Sequence, residues 1–284
     1  MSDNLHVKDG FGDNRFIRTM STPNGQSLHV ANSLSHALLV IEETYGVNVK
    51  IKSKTLQKFG ENELVGTSEA TVMTLPAGVV AETYATTNAI DKISSADNGD
   101  TQEAYIEGHT VDGSGNFTFT TQTVTMTGQT AATLTTPLAR VSRVANNGTT
   151  ANAGHWYVHE SDTLSSGVPT TDAKVHLIVP AGENQSLKSA TTFSSVDYAI
   201  VTGLYASVNK KANASADIRF KVRLKGGVFQ TKFKIGISNT APFEVMTDPF
   251  FIIPANADCL ISAEASTTGV EVSCGFNAYL ATIA

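Results

Sequence analysis

The sequence predicts an all-β protein: antiparallel β-sandwich or jelly-roll modules behind an extended N-terminal arm and one short helix. Three observations lead there. Short runs that alternate apolar and polar residues recur from about residue 70, between turn clusters DNGD (97–100), DGSG (112–115), NNG (146–148) and SSG (165–167). Regular short strands between turn signals are the pattern of a sandwich or barrel. Charged residues are only 16% of the 284, below the usual quarter. Thr, Ser, Asn, Ala and Gly take their place, which suits strands and tight turns and leaves little Glu, Lys or Arg for helix surfaces. The C-terminal hundred residues also read as two amphipathic hairpins.

At roughly 150 residues per domain the length suggests about two domains. The divisions read as an N-terminal arm with a short helix and strand (1–70), a first β-domain (71–182) and a C-terminal β-sandwich (183–284). Residues 1–30 mix Gly10, Gly12, Pro23 and Gly25 with isolated apolar residues Val7, Phe11, Phe16 and Ile17. That composition fits a loose terminus or an arm that orders on a neighbouring subunit. Residues 33–45 place Leu34, Ala37, Leu38, Ile41 and Tyr45 on one helical face. Asn32 is suited to the N-cap and Gly46 to the C-terminal end; the inner ALLVI run also suits a strand. After Gly46, Val47, Val49 and Ile51 alternate with Asn48, Lys50 and Lys52, a strand period.

Strands are expected over Ala70–Leu75, Ala104–Glu107, Asn116–Met126, Ala139–Ala145, His155–His159 and Lys174–Val179. Pro180-Ala181-Gly182 is the best internal boundary. Beyond it, Ile218, Phe220, Val222 and Leu224 alternate with Arg219, Lys221, Arg223 and Lys225. Gly226-Gly227 is suited to the turn of a two-residue hairpin, and Phe229, Phe233, Ile235 and Ile237 share the core face of the return strand. A second hairpin is expected where Cys259, Ile261, Ala263 and Ala265 turn at Ser266–Gly269 into Val270, Val272, Cys274, Phe276, Ala278 and Leu280. Each strand then has one core face and one wet face.

The most specific chemical feature is basic. Residues 210–234 hold eight of the 20 Lys and Arg (Lys210, Lys211, Arg219, Lys221, Arg223, Lys225, Lys232, Lys234) against one acid, Asp217, in a chain of net charge −6. The face reads either as a solvated outer surface or as a docking site for an acidic protein surface, made of Arg219, Lys221, Arg223, Lys225, Lys232 and Lys234. Nucleic acid is disfavoured, because no aromatic stacking platform lies among these residues and the chain is acidic overall.

No catalytic or metal site is expected, nor a cofactor. The sequence has no G-x-S-x-G, Walker A, Rossmann or kinase signature, and the reading is non-enzymatic. Cys259 and Cys274 are too few for a disulfide framework and sit at core-facing positions, where free thiols act as small hydrophobes. His155 and His159 have zinc-ligand spacing for a helix, but Trp-Tyr-Val between them favours a strand, where such residues stand about 13 Å apart. Asp97, Asn98 and Asp100, like Asp112, Ser114 and Asn116, lack the downstream Glu of an EF-hand loop and read as tight turns. No run approaches the ~18 apolar residues of a membrane span. The acidic Met1–Phe16 segment lacks the apolar core of a signal peptide, so synthesis and assembly in a cytoplasm are expected.

Three stretches carry a family resemblance: DKISSADNGDTQEAYIEGHTVDGSGNFTF (91–119), TVTMTGQTAATLTTPLARVSRVANNGTT (123–150) and FFIIPANADCLISAEASTTGVEVSCGFNAYLA (250–281). They resemble structural proteins of tailed bacteriophages, especially from aquatic hosts, over roughly residues 90–284. The resemblance implies a β-sandwich or jelly-roll virion protein, assembled in the host bacterial cytoplasm. It implies a capsid cement or decoration role or, alternatively, a tail, collar or fibre component that faces a host receptor. The implied partners are the major capsid protein or other virion proteins and further copies of the chain, with a homotrimer favoured. No site residue carries over from it.

Overall fold

The computed structural model describes residues 6–8, 14–16, 19–21, 27–29, 49–209, 213–238 and 242–283. The helix expected over 33–45 lies outside them, as do Lys210 and Lys211. Near the N-terminus, β1 (His6–Lys8) pairs with β2 (Asn14–Phe16), and β3 (Thr19–Ser21) with β4 (Ser27–His29). Then come β5 (Val49–Val65) and β6 (Ala70–Thr71). A first group follows: β7 (Ile90–Ser95), β8 (Glu103–Val111), β9 (Phe117–Thr125), β10 (Ala132–Leu138), β11 (Arg140–Asn146), β12 (Trp156–Glu160), β13 (Leu164–Ser165), β14 (Val168–Pro169) and β15 (Val175–Val179). The second comprises β16 (Thr191–Thr192), β17 (Asp197–Asn209), β18 (Ser215–Arg223), β19 (Gln230–Ser238), β20 (Phe243–Ile253), β21 (Asp258–Ala265) and β22 (Val270–Ile283). Asp172–Lys174 form a 3-10 turn. No helix among the described residues is long and apolar enough to cross a membrane.

The first group makes a sandwich. One sheet runs β10-β7-β12-β15 and the other β11-β8-β9, every pair antiparallel. Ile90, Ile93, Ile106, Leu138, Val144, Trp156 and Val179 fill the space between them. Strand β12 is buried on both faces, because Tyr157 packs with Val175 and Ile178 on the outside beneath Val168. Asp100 closes the turn below Trp156. Its carboxylate accepts hydrogen bonds from Ser95 Oγ (2.5 Å), the backbone N–H groups of Ala153 (2.8 Å) and Gly154 (3.0 Å), and Trp156 Nε1 (2.9 Å). Asp97 and Asp112 close turns onto Gly99, Ser114 and Asn116. Both acid-rich turns therefore serve the backbone, as their spacing suggested.

The second group makes another sandwich. Its sheets run β16-β21-β18-β19, with β6 also on β21, and β20-β17-β22-β5. The alternation of β18 is visible in its burial: Ile218, Phe220 and Val222 are buried, while Arg219, Lys221 and Arg223 lie on the other face. Phe220 meets Phe251 and Phe276 edge-on, with ring centroids 5.2 and 5.3 Å apart. The hairpin to β19 closes through a Gly227 N–H to Leu224 carbonyl bond (2.9 Å). Gly226 alone of the two glycines takes a positive φ, +71°, at the position where a type II turn requires it. The loop is thus longer than the two-residue turn the Gly-Gly pair suggests.

The second predicted hairpin is corrected. Strand β21 pairs with β18 on one side and with β16 and β6 on the other. Both its edges are taken, so β22 crosses to the opposite sheet and pairs with β17 and β5. Residues 266–269 bridge the sandwich instead of turning within a sheet. Cys259 and Cys274 consequently stand on opposing sheets of one core, both buried free thiols, and burial pushes both thiols well above their ordinary pKa. The strand expected over Ala70–Leu75 shortens to β6, with Met73 bridged to Lys188.

The edge strand β20 contains Pro249, which an edge tolerates because its missing N–H breaks no inner ladder. Pro249 falls where the β17 register jumps from Val201↔Phe251 to Gly203↔Met246.

The aromatic cluster sets the first expectation. Phe220→Ala removes the ring on which Phe251 and Phe276 converge and should cost ~3–5 kcal/mol. Urea unfolding should show a lower midpoint at unchanged slope; an unchanged midpoint would refute the packing role.

Candidate functional site

The six basic residues predicted to form a docking face do not act as one open field. Arg219 Nη2 lies 2.7 Å from Glu264 and 3.5 Å from Asp217. Lys221 pairs with Glu69, which also accepts from Ser262 Oγ (2.6 Å). Arg223 binds Asp258 Oδ2 through Nε (3.0 Å) and Nη2 (2.5 Å). Lys234 pairs with Asp217 (2.7 Å), Lys225 reaches Asn116 Oδ1 (3.0 Å), and Lys232 reaches Gln230 on its own strand (2.9 Å). Of the acids involved, Asp217 alone lies within residues 210–234. Glu69, Asp258 and Glu264 come from elsewhere in the chain, and the local excess of charge in the sequence is largely balanced in space. Lys225, Lys232 and Lys234 keep exposed side chains.

Arg223 belongs to a stack that joins the two sandwiches. Its guanidinium carbon lies 4.2 Å from the Tyr84 ring centroid and 4.6 Å from that of Phe229. The Tyr84 and Phe229 rings are themselves 5.6 Å apart, tilted at 47°, so Arg223 caps the pair from one side. Arg140, from β11, lies 4.8 Å from the centroids of both Tyr84 and Phe117. Asp258, at the first position of β21, holds both cations: Arg140 Nε is 3.0 Å from its Oδ1, and Thr192 Oγ1 donates to the same oxygen at 2.6 Å. Arg140 Nη1 also donates to the Ala85 and Ala139 carbonyls. Burial alone would raise the Asp258 pKa. The Arg140 charge and hydrogen bond, the Thr192 hydroxyl and the Arg223 charge outweigh it and hold the carboxyl below its ordinary range.

Beside this junction the sandwiches leave an open cleft of about 750 Å³. Strands β5 and β22 form one wall, β8 and β9 the other, and the segment after Gly182 the floor. That segment bonds to both sandwiches: Ser186 N–H donates to Val144, Ser189 N–H to Val72, and Phe193 N–H to Ala257. Two buried lysines line the cleft. Lys58 donates to the Ser142 carbonyl (2.6 Å), and Lys188 to Glu82 and the Val141 carbonyl. Burial, aided by the Lys188 charge, pulls Lys58 down to about 8. His109 is 3% exposed and lies edge-on to Phe117 and Phe119; burial pulls it down to about 4, so it is neutral at pH 7.

The sequence pointed to neither the stack nor the cleft. Tyr84, Arg140 and Asp258 come from three distant stretches and share no spacing. One faint signal existed: Asp258 is a carboxylate at the head of an apolar alternation, a position that needs a partner if it is buried. His155 and His159 each have a separate partner. His155 Nδ1 accepts from the Ala181 N–H (2.9 Å), and buried His159 Nε2 lies 3.1 Å from Ser94 Oγ. Glu61, Glu63 and Glu271 bring ligand oxygens within 4.8 Å of one another, with Ser273 donating to Glu61 and Asn209 to Glu271; nothing else marks them as an ion site.

Two outcomes follow from the buried charges. Asp258→Asn leaves two guanidiniums without their counter-ion and should cost ~3–5 kcal/mol at pH 7. Because the folded pKa is depressed, the contribution of Asp258 is complete above the unfolded value of ~3.9 and is lost as pH falls through the folded value. Chemical unfolding of the variant should therefore show a shallower acid limb below pH 4 than wild type. His109 runs oppositely in charge but with the same slope. Its folded value near 4 lies below the unfolded ~6.5, so the unfolded chain binds the extra proton between them and stability falls as pH drops from 6.5 to 4. His109→Gln should flatten that window by roughly 3 kcal/mol; an unchanged profile would show that His109 titrates normally.

No protein-family model and no curated protein matches the chain. Among solved structures it is similar to the Eiger TNF from S. frugiperda, at 11% identity over 65% of this chain and 94% of that one, with a TM-score of 0.21. It is similar to a CBM4 structure at 10% identity over 48% and 70%, with a TM-score of 0.19. It is similar to the T=1 particles derived from infectious bursal virus at 9% identity over 78% and 71%, with a TM-score of 0.22. Likenesses this distant carry no functional argument, and the β-sandwich assignment rests on the strand pairing itself.

Proposed function

We propose that the chain is a non-enzymatic structural protein of a tailed-bacteriophage virion, a capsid cement or decoration protein that stabilises the shell through protein–protein contacts. The sequence resemblance over residues 90–284 suggests the setting. The observation that carries the contact role is the tip of the β18–β19 hairpin. Leu224 and Val228 are 52% and 77% exposed there, beside exposed Lys225 and Lys232. Two exposed apolar side chains in one hairpin loop, with charges nearby, support a surface that a partner covers. The docking face is accordingly centred on this tip and on Lys225, Lys232 and Lys234. Arg219, Lys221 and Arg223 support it from within. The partners would be the major capsid protein and further copies of this chain, a trimer being the favoured assembly.

A protein that binds only the assembled shell stabilises it by mass action. The open cleft favours a second reading, a host-facing tail, collar or fibre component. Copy number separates the two: hundreds per particle for a shell protein, a dozen or fewer for tail apparatus.

The test is a pair of substitutions, Leu224→Glu and Val228→Glu, at positions exposed enough to leave folding intact. Both should reduce incorporation into particles at least tenfold, and particles lacking the chain should disrupt at lower temperature. Full incorporation of both variants, or equal thermal stability with and without the chain, would overturn cementing.

A further inference from the structure

We propose that the cleft between the sandwiches binds a neutral oligosaccharide. Its volume of about 750 Å³ falls within the ~300–1,000 Å³ of small-molecule sites, and each wall pairs an aromatic ring with a planar polar group. On β5, Gln57 and Phe59 point the same way, two residues apart, and Gln57 stands directly across the ladder from Asn277 of β22. On the facing wall, Phe119 of β9 stands across the ladder from His109 of β8, with ring centroids 5.4 Å apart. Phe59 and Phe119 are 41% and 44% exposed, although large aromatic rings are mostly buried.

The polar groups divide into two sets. The ionic ones have partners inside the protein. Lys58 and Lys188 are bonded to carbonyls, Arg143 lies 3.4 Å from Glu107, and Asp197 Oδ2 accepts from Ser194 Oγ at 2.7 Å. Glu244 on the cleft wall adds a negative charge that disfavours anions. Most neutral ones are bonded too, among them Thr192, Ser194 and Tyr205, but two are not. Asn277 Oδ1 and His109 Nδ1 are buried with no hydrogen-bond partner among the described residues, a condition that native structures rarely leave unmet. What remains for a ligand is amide, imidazole and aromatic surface. A pyranose offers matching chemistry: a C–H face to lay on a ring, and hydroxyls that both donate to and accept from an amide or imidazole.

The experiment is isothermal titration calorimetry of the full chain with maltohexaose, cellohexaose and chitohexaose, with hexagalacturonate as the anionic control. At least one neutral sugar should bind saturably. Phe119→Ala and Gln57→Ala should each weaken that binding at least tenfold, and Gln57→Ala, at an exposed position, should do so with the melting temperature of the unliganded protein unchanged. Absence of saturable binding by all three neutral sugars, tighter binding of the polygalacturonate, or binding indifferent to both substitutions would overturn the proposal. The measurement uses the isolated chain, so its outcome is independent of the cementing role.

Discussion

The Asp258 carboxylate is the constraint on which the rest of the structure depends. It begins β21, in the second sandwich, and holds Arg223 of that sandwich together with Arg140 of the first. Removing such charges from water costs several kcal/mol each unless they are fully coordinated. Here two cations share one anion, and an excess positive charge is left in a nearly dry place. The rings of Phe117, Tyr84 and Phe229 lie against the guanidinium faces and supply the missing negative potential, while the Ala85 and Ala139 carbonyls take the outward N–H groups of Arg140. The coordination is complete only when residues from near 84, 117, 140, 223, 229 and 258 arrive together. It therefore fixes the placement of one sandwich on the other.

That placement creates the cleft. With the sandwiches joined at Asp258, the wall of β5 and β22 faces that of β8 and β9 across the segment that follows Gly182. Glycine makes the β5 wall possible. A Cβ on Gly275 would come within 2.4 Å of the Lys58 carbonyl and the Tyr205 ring, where Tyr205 now donates to that carbonyl at 3.1 Å. A Cβ on Gly60 would strike the Ser189 and Val72 backbone at 2.3 Å. Strand β5 lies close enough to bury Lys58 because these two positions carry no side chain.

How much of this was legible depended on whether a strand has one wet face. Strand β18 does, and its residues alternate from Ile218 to Arg223 in the sequence as they do in space. Strand β17 is buried on both faces over Asp197–Leu204, so YAIVTGL has no period of two and escaped notice, although it is the central partner of β20 and β22. The 270–280 alternation was read correctly for its core face but wrongly for its neighbour. A hairpin and a sheet-crossing connection both turn apolar residues toward one core, and only the occupied edges of β21 decide between them. The charges failed for another reason. A count over 210–234 sees one acid, whereas Glu69, Asp258 and Glu264 arrive through pairings with no local trace.

This redistribution of charge changes what the surface can do. Arg219, Lys221 and Arg223 are matched inside the chain, and among the exposed apolar side chains Leu224 and Val228 stand at a hairpin tip and Phe59 and Phe119 along the cleft. Contacts through such groups depend on shape and desolvation more than on long-range attraction, which salt at 0.15 M screens over about 8 Å. Lys225 lies in the hairpin loop and Lys232 and Lys234 on the strand that leaves it, and exposed charges of this kind influence approach and orientation more than final affinity. The low charge content that first marked the chain as β-rich thus goes with a few buried ion pairs, Asp258 with Arg140 and Arg223 at the junction and Lys188 with Glu82 beside the cleft.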